Sequence, residues 1–184
     1  MKAMGWTGAL ALMLTACGGG AGGGNATDTS GLVAANGWKA TDACAIMSRA
    51  TVAKTLGTAV ATAELQAVKD GSVGNGDVYS QCTFTLADGR MLVFGTAAAA
   101  GSPDVAGVVA SLRGQMGIVT NERPVELPGV GKAALWLPQM HALYVALGDG
   151  RWASATLAGF GKAAAITSDA AQADSIKLMR TIGA

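Results

Sequence analysis

The amino-terminal residues decide how much of this 184-residue chain can form a folded domain. Lys2 is followed by an apolar stretch from Met4 to Leu14, which is too short to cross a bilayer core that needs about 20 residues. A short apolar segment behind a positive charge is the layout of a secretory signal peptide. The glycine-rich stretch at 18–24 is too flexible to contribute to a core. We therefore predict a signal peptide over 1–16, a flexible linker over 17–40 and a single globular domain over 41–184.

The end of the apolar segment, Leu14-Thr15-Ala16-Cys17, resembles the lipobox of bacterial lipoproteins. In proteins with this motif the cysteine thiol receives a diacylglycerol group, the signal is removed before it, and the new amine is often acylated. The resemblance implies lipidation of Cys17 with two or three acyl chains such as palmitate, which is enough for stable membrane attachment. The alternative is an ordinary signal peptide with an incidental cysteine.

The residue after Cys17 is Gly18 rather than aspartate. In Gram-negative lipoproteins, this implies an anchor in the outer membrane that faces the periplasm. In an organism with one membrane, the anchor would lie on the outer face of the plasma membrane.

Composition and charge exclude several classes of partner. Lys and Arg number 13 against 12 Asp and Glu, so no basic surface for nucleic acid is expected. One histidine and three cysteines are too few for a zinc site with several His and Cys ligands. We predict neither a metal nor a cofactor.

The two other cysteines, Cys44 and Cys82, would enter a compartment that permits disulfides. With Cys17 lipidated, only one pairing is left for them. Cys44 lies in the first turn of a predicted helix, and Cys82 shares a strand face with Phe84. We predict a structural disulfide between the two, and a pair of buried free thiols or a redox pair is the alternative.

Hydrophobic periodicity and turn residues predict helices that alternate with runs of antiparallel strands. Asp88-Gly89 and Gly148-Asp149-Gly150 mark hairpin turns. The fold class is therefore α+β, with one antiparallel sheet or two half-sheets and helices packed on one face. A duplicated helix-plus-three-strand unit is a further alternative. The predicted helices cover 43–56, 104–116 and 168–182, and the predicted strands cover 59–68, 78–87, 91–96, 124–127, 132–137, 141–147 and 151–157.

The stretch Leu127-Pro128-Gly129-Val130-Gly131-Lys132-Ala133-Ala134 is not a phosphate-binding loop, and we interpret it as a turn that opens a strand. Together with Cys44 and Cys82-Thr83-Phe84, it resembles a family of small bacterial lipoproteins of unknown function that carry an L-P-G-V-G-x-A-A motif. That family commonly has an acidic residue where this chain has Lys132. The resemblance implies no activity and no site residues.

No motif predicts catalysis. His141 is the only histidine, and no Ser nucleophile elbow is present. Glycoside hydrolysis needs a pair of carboxylates, and no spacing in the sequence selects two of the four candidates. These candidates are Glu64, Glu122, Glu126 and Asp149. We predict a protein that is not an enzyme, and a hydrolase with a dispersed site is an alternative.

Three aromatic residues, Trp136, Tyr144 and Trp152, lie on three successive predicted strands. Alternation places all three opposite an aliphatic face, so we interpret them as one possible binding surface. The alternative is a second small core under a loop or helix.

These features together predict a membrane-anchored envelope lipoprotein with a non-enzymatic, partner-binding domain. The expected partner is an envelope protein or a cell-wall component. The alternative is an inhibitor or immunity lipoprotein that neutralises a periplasmic hydrolase.

Overall fold

A computed structural model of the chain describes residues 38–71, 76–101, 103–119, 121–159 and 165–184. The predicted signal peptide, Cys17 and the glycine tract lie outside the described residues. Within the described ranges, no helix is both long enough and apolar enough to cross a membrane.

The described residues form four helices and seven strands, so the α+β prediction is confirmed. The helices are α1 (Ala43–Ile46), α2 (Arg49–Leu56), α3 (Val105–Val119) and α4 (Ser168–Thr181). The strands are β1 (Val60–Asp70), β2 (Val78–Leu86), β3 (Arg90–Ala98), β4 (Val125–Glu126), β5 (Ala133–Leu137), β6 (Ala142–Gly148) and β7 (Arg151–Gly159).

All the strands belong to one antiparallel sheet of order β1-β2-β3-β7-β6-β5-β4. It consists of two meanders, β1–β3 and β5–β7, which join where β3 pairs with β7. Both hairpin turns occur where Asp-Gly sequences predict them, with a positive φ at Gly89 and Gly150.

The first predicted helix is broken into two, which corrects the single helix expected over 43–56. Asp42 caps α1, and Ser48 begins α2 by accepting a hydrogen bond from the Thr51 amide at 3.1 Å. The break lets Met47 enter the core, where it is fully buried. The second helix ends at Gly57 as predicted, in the left-handed conformation.

One face of the sheet, which we call the core face, carries alternate residues of β2 that are all buried: Val78, Ser80, Cys82, Phe84 and Leu86. The residues paired with them on β3 and β7 continue the face, with Phe94 and Ala155 beside Cys82. Helices α1, α2 and α4 cover this face. It therefore holds the larger hydrophobic core.

The fourth helix, α3, lies on the opposite face, so the prediction that the helices share one face is wrong for α3. Its residues Val108, Leu112 and Met116 pack against a second cluster on β5 and β6, formed by Leu135, Leu137, Ala142 and Ala146. The reason lies in the sequence of these strands, since runs such as Ala142-Leu143 and Val145-Ala146 place buried side chains on both faces. We call this second side of the sheet the groove face.

The two halves follow the same order, a helix and then a three-strand meander. A twofold axis perpendicular to the sheet would relate the meanders, and it would keep both helices on one face. Because α3 lies on the face opposite α1 and α2, the halves are not equivalent helix-plus-three-strand units.

Candidate functional site

The predicted disulfide is confirmed: Cys44 of α1 is bonded to Cys82 of β2, with a Cα–Cα distance of 5.0 Å. Cys82 is fully buried in the core face. The bond attaches the first helix to the middle of the first meander.

Two buried hydroxyls reinforce that attachment. The Ser80 hydroxyl donates to the Ala40 carbonyl at 2.7 Å and accepts from the Ala43 amide at 2.9 Å. The Thr96 hydroxyl donates to the same Ala40 carbonyl at 3.0 Å. These groups satisfy backbone at the start of α1, so their role is structural.

The three predicted surface aromatics do not lie on one face. Trp136 pairs with Leu143, whereas Tyr144 pairs with Leu135. Because directly paired residues of an antiparallel sheet share a face, Trp136 lies on the core face and Tyr144 on the groove face. Trp136 is only 2% exposed, and its ring stacks on His141 with centroids 6.5 Å apart. Including Trp136 in a surface patch was therefore wrong, since alternation within each strand does not determine the register between strands.

Tyr144 and Trp152 do meet on the groove face, with ring centroids 6.2 Å apart and ring planes inclined at 42°. Both are partly buried against the cluster under α3. Burial raises the pKa of the Tyr144 phenol, so its hydroxyl stays protonated. The pair thus belongs in part to a second small core and in part to an open surface.

That open surface is a groove of 570 Å³ between α3 and the sheet, which we call the α3 groove. It exists because α3 covers the β5–β6 half of the groove face and no other helix in the described ranges covers the β2–β3 part. Its walls include Tyr79 and Gln81 from β2, Tyr144 from β6, Trp152 and Ser154 from β7, and Ser111 and Gln115 from α3.

Gly95 lies on the groove face between Gln81 and Ser154, its direct partners on β2 and β7. A Cβ at position 95 would lie 2.5 Å from the Ser154 hydroxyl oxygen. Glycine is therefore required for Ser154 to lean over this point of the sheet. A glycine inside a strand often marks such a close approach, so Gly95 is the sequence signal that points to this site.

Some polar side chains of the groove lack a hydrogen-bond partner in the part of the chain that the structure describes. Among the residues that the structure describes, the side chains of Gln81, Tyr144 and Ser154 form no hydrogen bond. They are partly buried and held on paired strands, so their donors and acceptors point from a rigid surface toward solvent or a ligand.

Charged groups play a small part in the groove. Lys69 and Asp77 are its charged lining residues in the described ranges, and their signs are opposite. Asp77 accepts a hydrogen bond from the Ala100 amide at 2.9 Å, and Lys69 is also engaged within the protein.

The Leu127–Ala134 stretch forms the turn between β4 and β5, as interpreted from its residues. The Leu127 amide donates to the Ala134 carbonyl at 3.0 Å, and Val130 is buried in the larger core. Gly131 has a φ of 58°, and a Cβ there would collide with the Val145 side chain and the Ala146 carbonyl. The motif is thus explained by the packing of a turn.

The candidate carboxylates are dispersed. Glu126 forms an ion pair with Arg113, Asp149 pairs with Arg151 at 3.3 Å, and Glu122 accepts from the Gln139 amide at 2.6 Å. Glu64 lies exposed on β1. In the described part of the chain, no three His, Cys, Asp or Glu side chains are grouped so that they could hold a metal ion.

No family model, curated protein or solved structure matches this chain. The resemblances to the lipobox and to the L-P-G-V-G-x-A-A lipoproteins therefore stay predictions.

Proposed function

We propose that this protein is a lipid-anchored protein of the cell envelope whose domain binds an envelope component without chemical turnover. The binding site is the α3 groove. The observation that carries the proposal is the set of unpartnered polar and partly exposed aromatic side chains that converge there.

The groove has the general character of a binding site. Its volume of 570 Å³ falls within the roughly 300–1,000 Å³ typical of small-ligand pockets. Its polar groups Gln81, Tyr144 and Ser154 come from paired strands rather than from loops, which places them precisely. A ligand that satisfies these groups would replace water without requiring the protein to rearrange.

The anchor would keep this site close to a membrane. The stretch between Cys17 and Trp38 contains about 20 residues of mostly small and glycine type, and a flexible linker of that length, as the sequence predicts, would span roughly 25 Å on average. A domain attached in this way could reach envelope components that lie close to the membrane surface.

The anchor is tested by replacing Cys17 with serine, which removes the thiol that diacylglycerol requires. We expect the wild type to sediment with membranes and to carry acyl mass, and Cys17→Ser to lose both. Thr15→Ser, which keeps a small residue in the motif, is the matched control and should behave as the wild type. A wild type without acyl mass would contradict the anchor.

Use of the groove is tested by cysteine labelling at two exposed glutamines. Gln115→Cys places a thiol at the groove, and Gln139→Cys places one on a turn away from it. A maleimide should label both sites equally in the purified protein, but should label position 115 more slowly in intact envelopes, where the ligand occupies the groove. Equal labelling of both sites in envelopes would contradict a role for the groove.

A further inference from the structure

Two kinds of side chain in the walls of the α3 groove could recognise a ligand. Tyr79, Tyr144 and Trp152 supply aromatic surface. The second kind is uncharged and hydrogen-bonding: Gln81, Gln115, Ser111 and Ser154. This combination restricts the chemistry of a ligand more than the volume of the groove does.

The aromatic part suits a ligand with flat, C–H-rich faces. The rings of Tyr144 and Trp152 form an angled surface, since their planes are inclined at 42°. Both rings are only partly buried, so part of each is left to contact a ligand. The faces of pyranose rings present rows of C–H groups that pack on aromatic surfaces of this kind.

The polar part suits a ligand that is rich in hydroxyls. A glutamine amide both donates and accepts, and so does a serine hydroxyl. Gln81 and Ser154 flank Gly95 on adjacent strands, so they could contact neighbouring hydroxyls of one sugar ring. Gln115 lies across the groove on α3, where its amide donates to the Ser111 hydroxyl at 3.3 Å.

The electrostatics of the groove do not favour an ion. The charges of Lys69 and Asp77 are opposite, and both side chains have contacts within the protein. Tyr144 presents a neutral phenol. A phosphate or a polycarboxylate would meet Lys69 as the one cation of the described lining, and Lys69 lies near the opposite charge of Asp77 in that lining and is already engaged within the protein, so burying the added negative charge there costs free energy.

We propose that the α3 groove binds a neutral oligosaccharide, a short run of uncharged pyranose units stacked on Tyr144 and Trp152 and hydrogen-bonded to Gln81 and Ser154. This assignment rests on the proposed function, since it names the ligand class of the same groove.

The test is calorimetric titration of the full mature protein in a zwitterionic detergent, because a detergent with sugar headgroups would compete. The probes are maltotetraose and chitotetraose, which are neutral, together with tetragalacturonate, which is anionic, and tetraalanine. We expect at least one neutral tetrasaccharide to bind and the other two classes of probe to bind at least about tenfold more weakly.

Variants then place the binding in the groove. Trp152→Ala should weaken binding by about tenfold or more, as at an interface hot spot. Gln81→Ala, which removes no core contact, should weaken it several-fold and keeps the test valid if Trp152→Ala is poorly folded. Gln139→Ala removes a glutamine from an exposed turn and should leave binding unchanged.

Three results would overturn the oligosaccharide assignment. One is binding of tetragalacturonate or tetraalanine in preference to the neutral sugars, and another is binding of no probe. The third is sugar binding that Trp152→Ala and Gln81→Ala leave intact. If position 115 is still protected in envelopes, the first two results replace the ligand class and leave the proposed function standing. Equal labelling in envelopes contradicts the proposed function itself.

Discussion

The two faces of the sheet show how differently one set of strands can be used. The core face is covered by three helices and attached to α1 by the Cys44–Cys82 bond, and its central side chains are fully buried. The groove face is covered by α3 over the β5–β6 half, and Gln81, Tyr144 and Ser154 are left without protein partners in the described residues. The comparison indicates that packing is concentrated on the core face, whereas the groove face is the one to which our proposal assigns binding.

The largest expected difference in stability is between variants of two tryptophans that lie on opposite faces of the sheet. Trp136→Ala removes a ring that is 2% exposed and should cost about 3–5 kcal/mol of unfolding free energy. Trp152→Ala removes a partly exposed ring, so we expect about 1–2 kcal/mol, because less apolar surface leaves water when it packs. Urea denaturation of both variants measures the difference. Equal losses would mean that the groove face is as much a core as the other face.

The disulfide should contribute nearly as much to the core face. Cys44→Ala/Cys82→Ala opens a loop with a sequence separation of 38 residues, and the chain-entropy account gives a loss of about 3–4 kcal/mol. The control is wild-type protein kept reduced and not alkylated, because an adduct on the buried Cys82 would overpack the core; it should show a similar loss. Ligand affinity per folded molecule should be unchanged, because the bond lies on the opposite face. A loss of binding in folded protein would show that the faces are coupled.

The smallest effect on stability is expected at Gly95, the strand position that has no side chain on the groove face. Gly95→Ala places a Cβ against the Ser154 hydroxyl, which must rotate away to make room, and should cost about 1 kcal/mol or less. In a Ser154→Ala background the obstructing oxygen is absent, so most of the cost should disappear. A double-mutant cycle by thermal unfolding measures the coupling. Additive losses would show that Gly95 is needed for a different reason.

Local patterns were enough for most of the fold. The order of the elements was predicted from the Asp-Gly turns, the alternation in β2 and the apolar helix faces. The disulfide was predicted because only two cysteines remain once Cys17 is set aside. Two predictions were wrong, the face that α3 covers and the inclusion of Trp136 in a surface patch. Both errors arise because β5 and β6 are apolar on both faces. A strand buried on both sides does not indicate which face a helix will cover, and it hides the register of its neighbours.

The candidate site was predicted only in part for the same reason. Tyr144 and Trp152 were identified from the sequence, but Trp136 was wrongly grouped with them because the turn that includes His141 pairs Trp136 with Leu143 rather than with Tyr144. Gln81 and Ser154 became candidates only once the pairing of β2, β3 and β7 was known. Such contacts join residues far apart in the chain, and no short motif encodes them.

The junction between the two meanders also sets an order of events in folding. The β1–β3 meander consists of neighbouring hairpins, but β3 gains its second partner only when Arg151–Gly159 is available. Strands that are far apart in the sequence are expected to pair late in folding, because the entropy lost in closing the loop between them must be overcome first. Until then β3, which carries Leu92 and Phe94, is an unpaired apolar edge that another chain could join. We therefore expect the segment that completes the groove also to cover the apolar edge of β3 in the newly made protein.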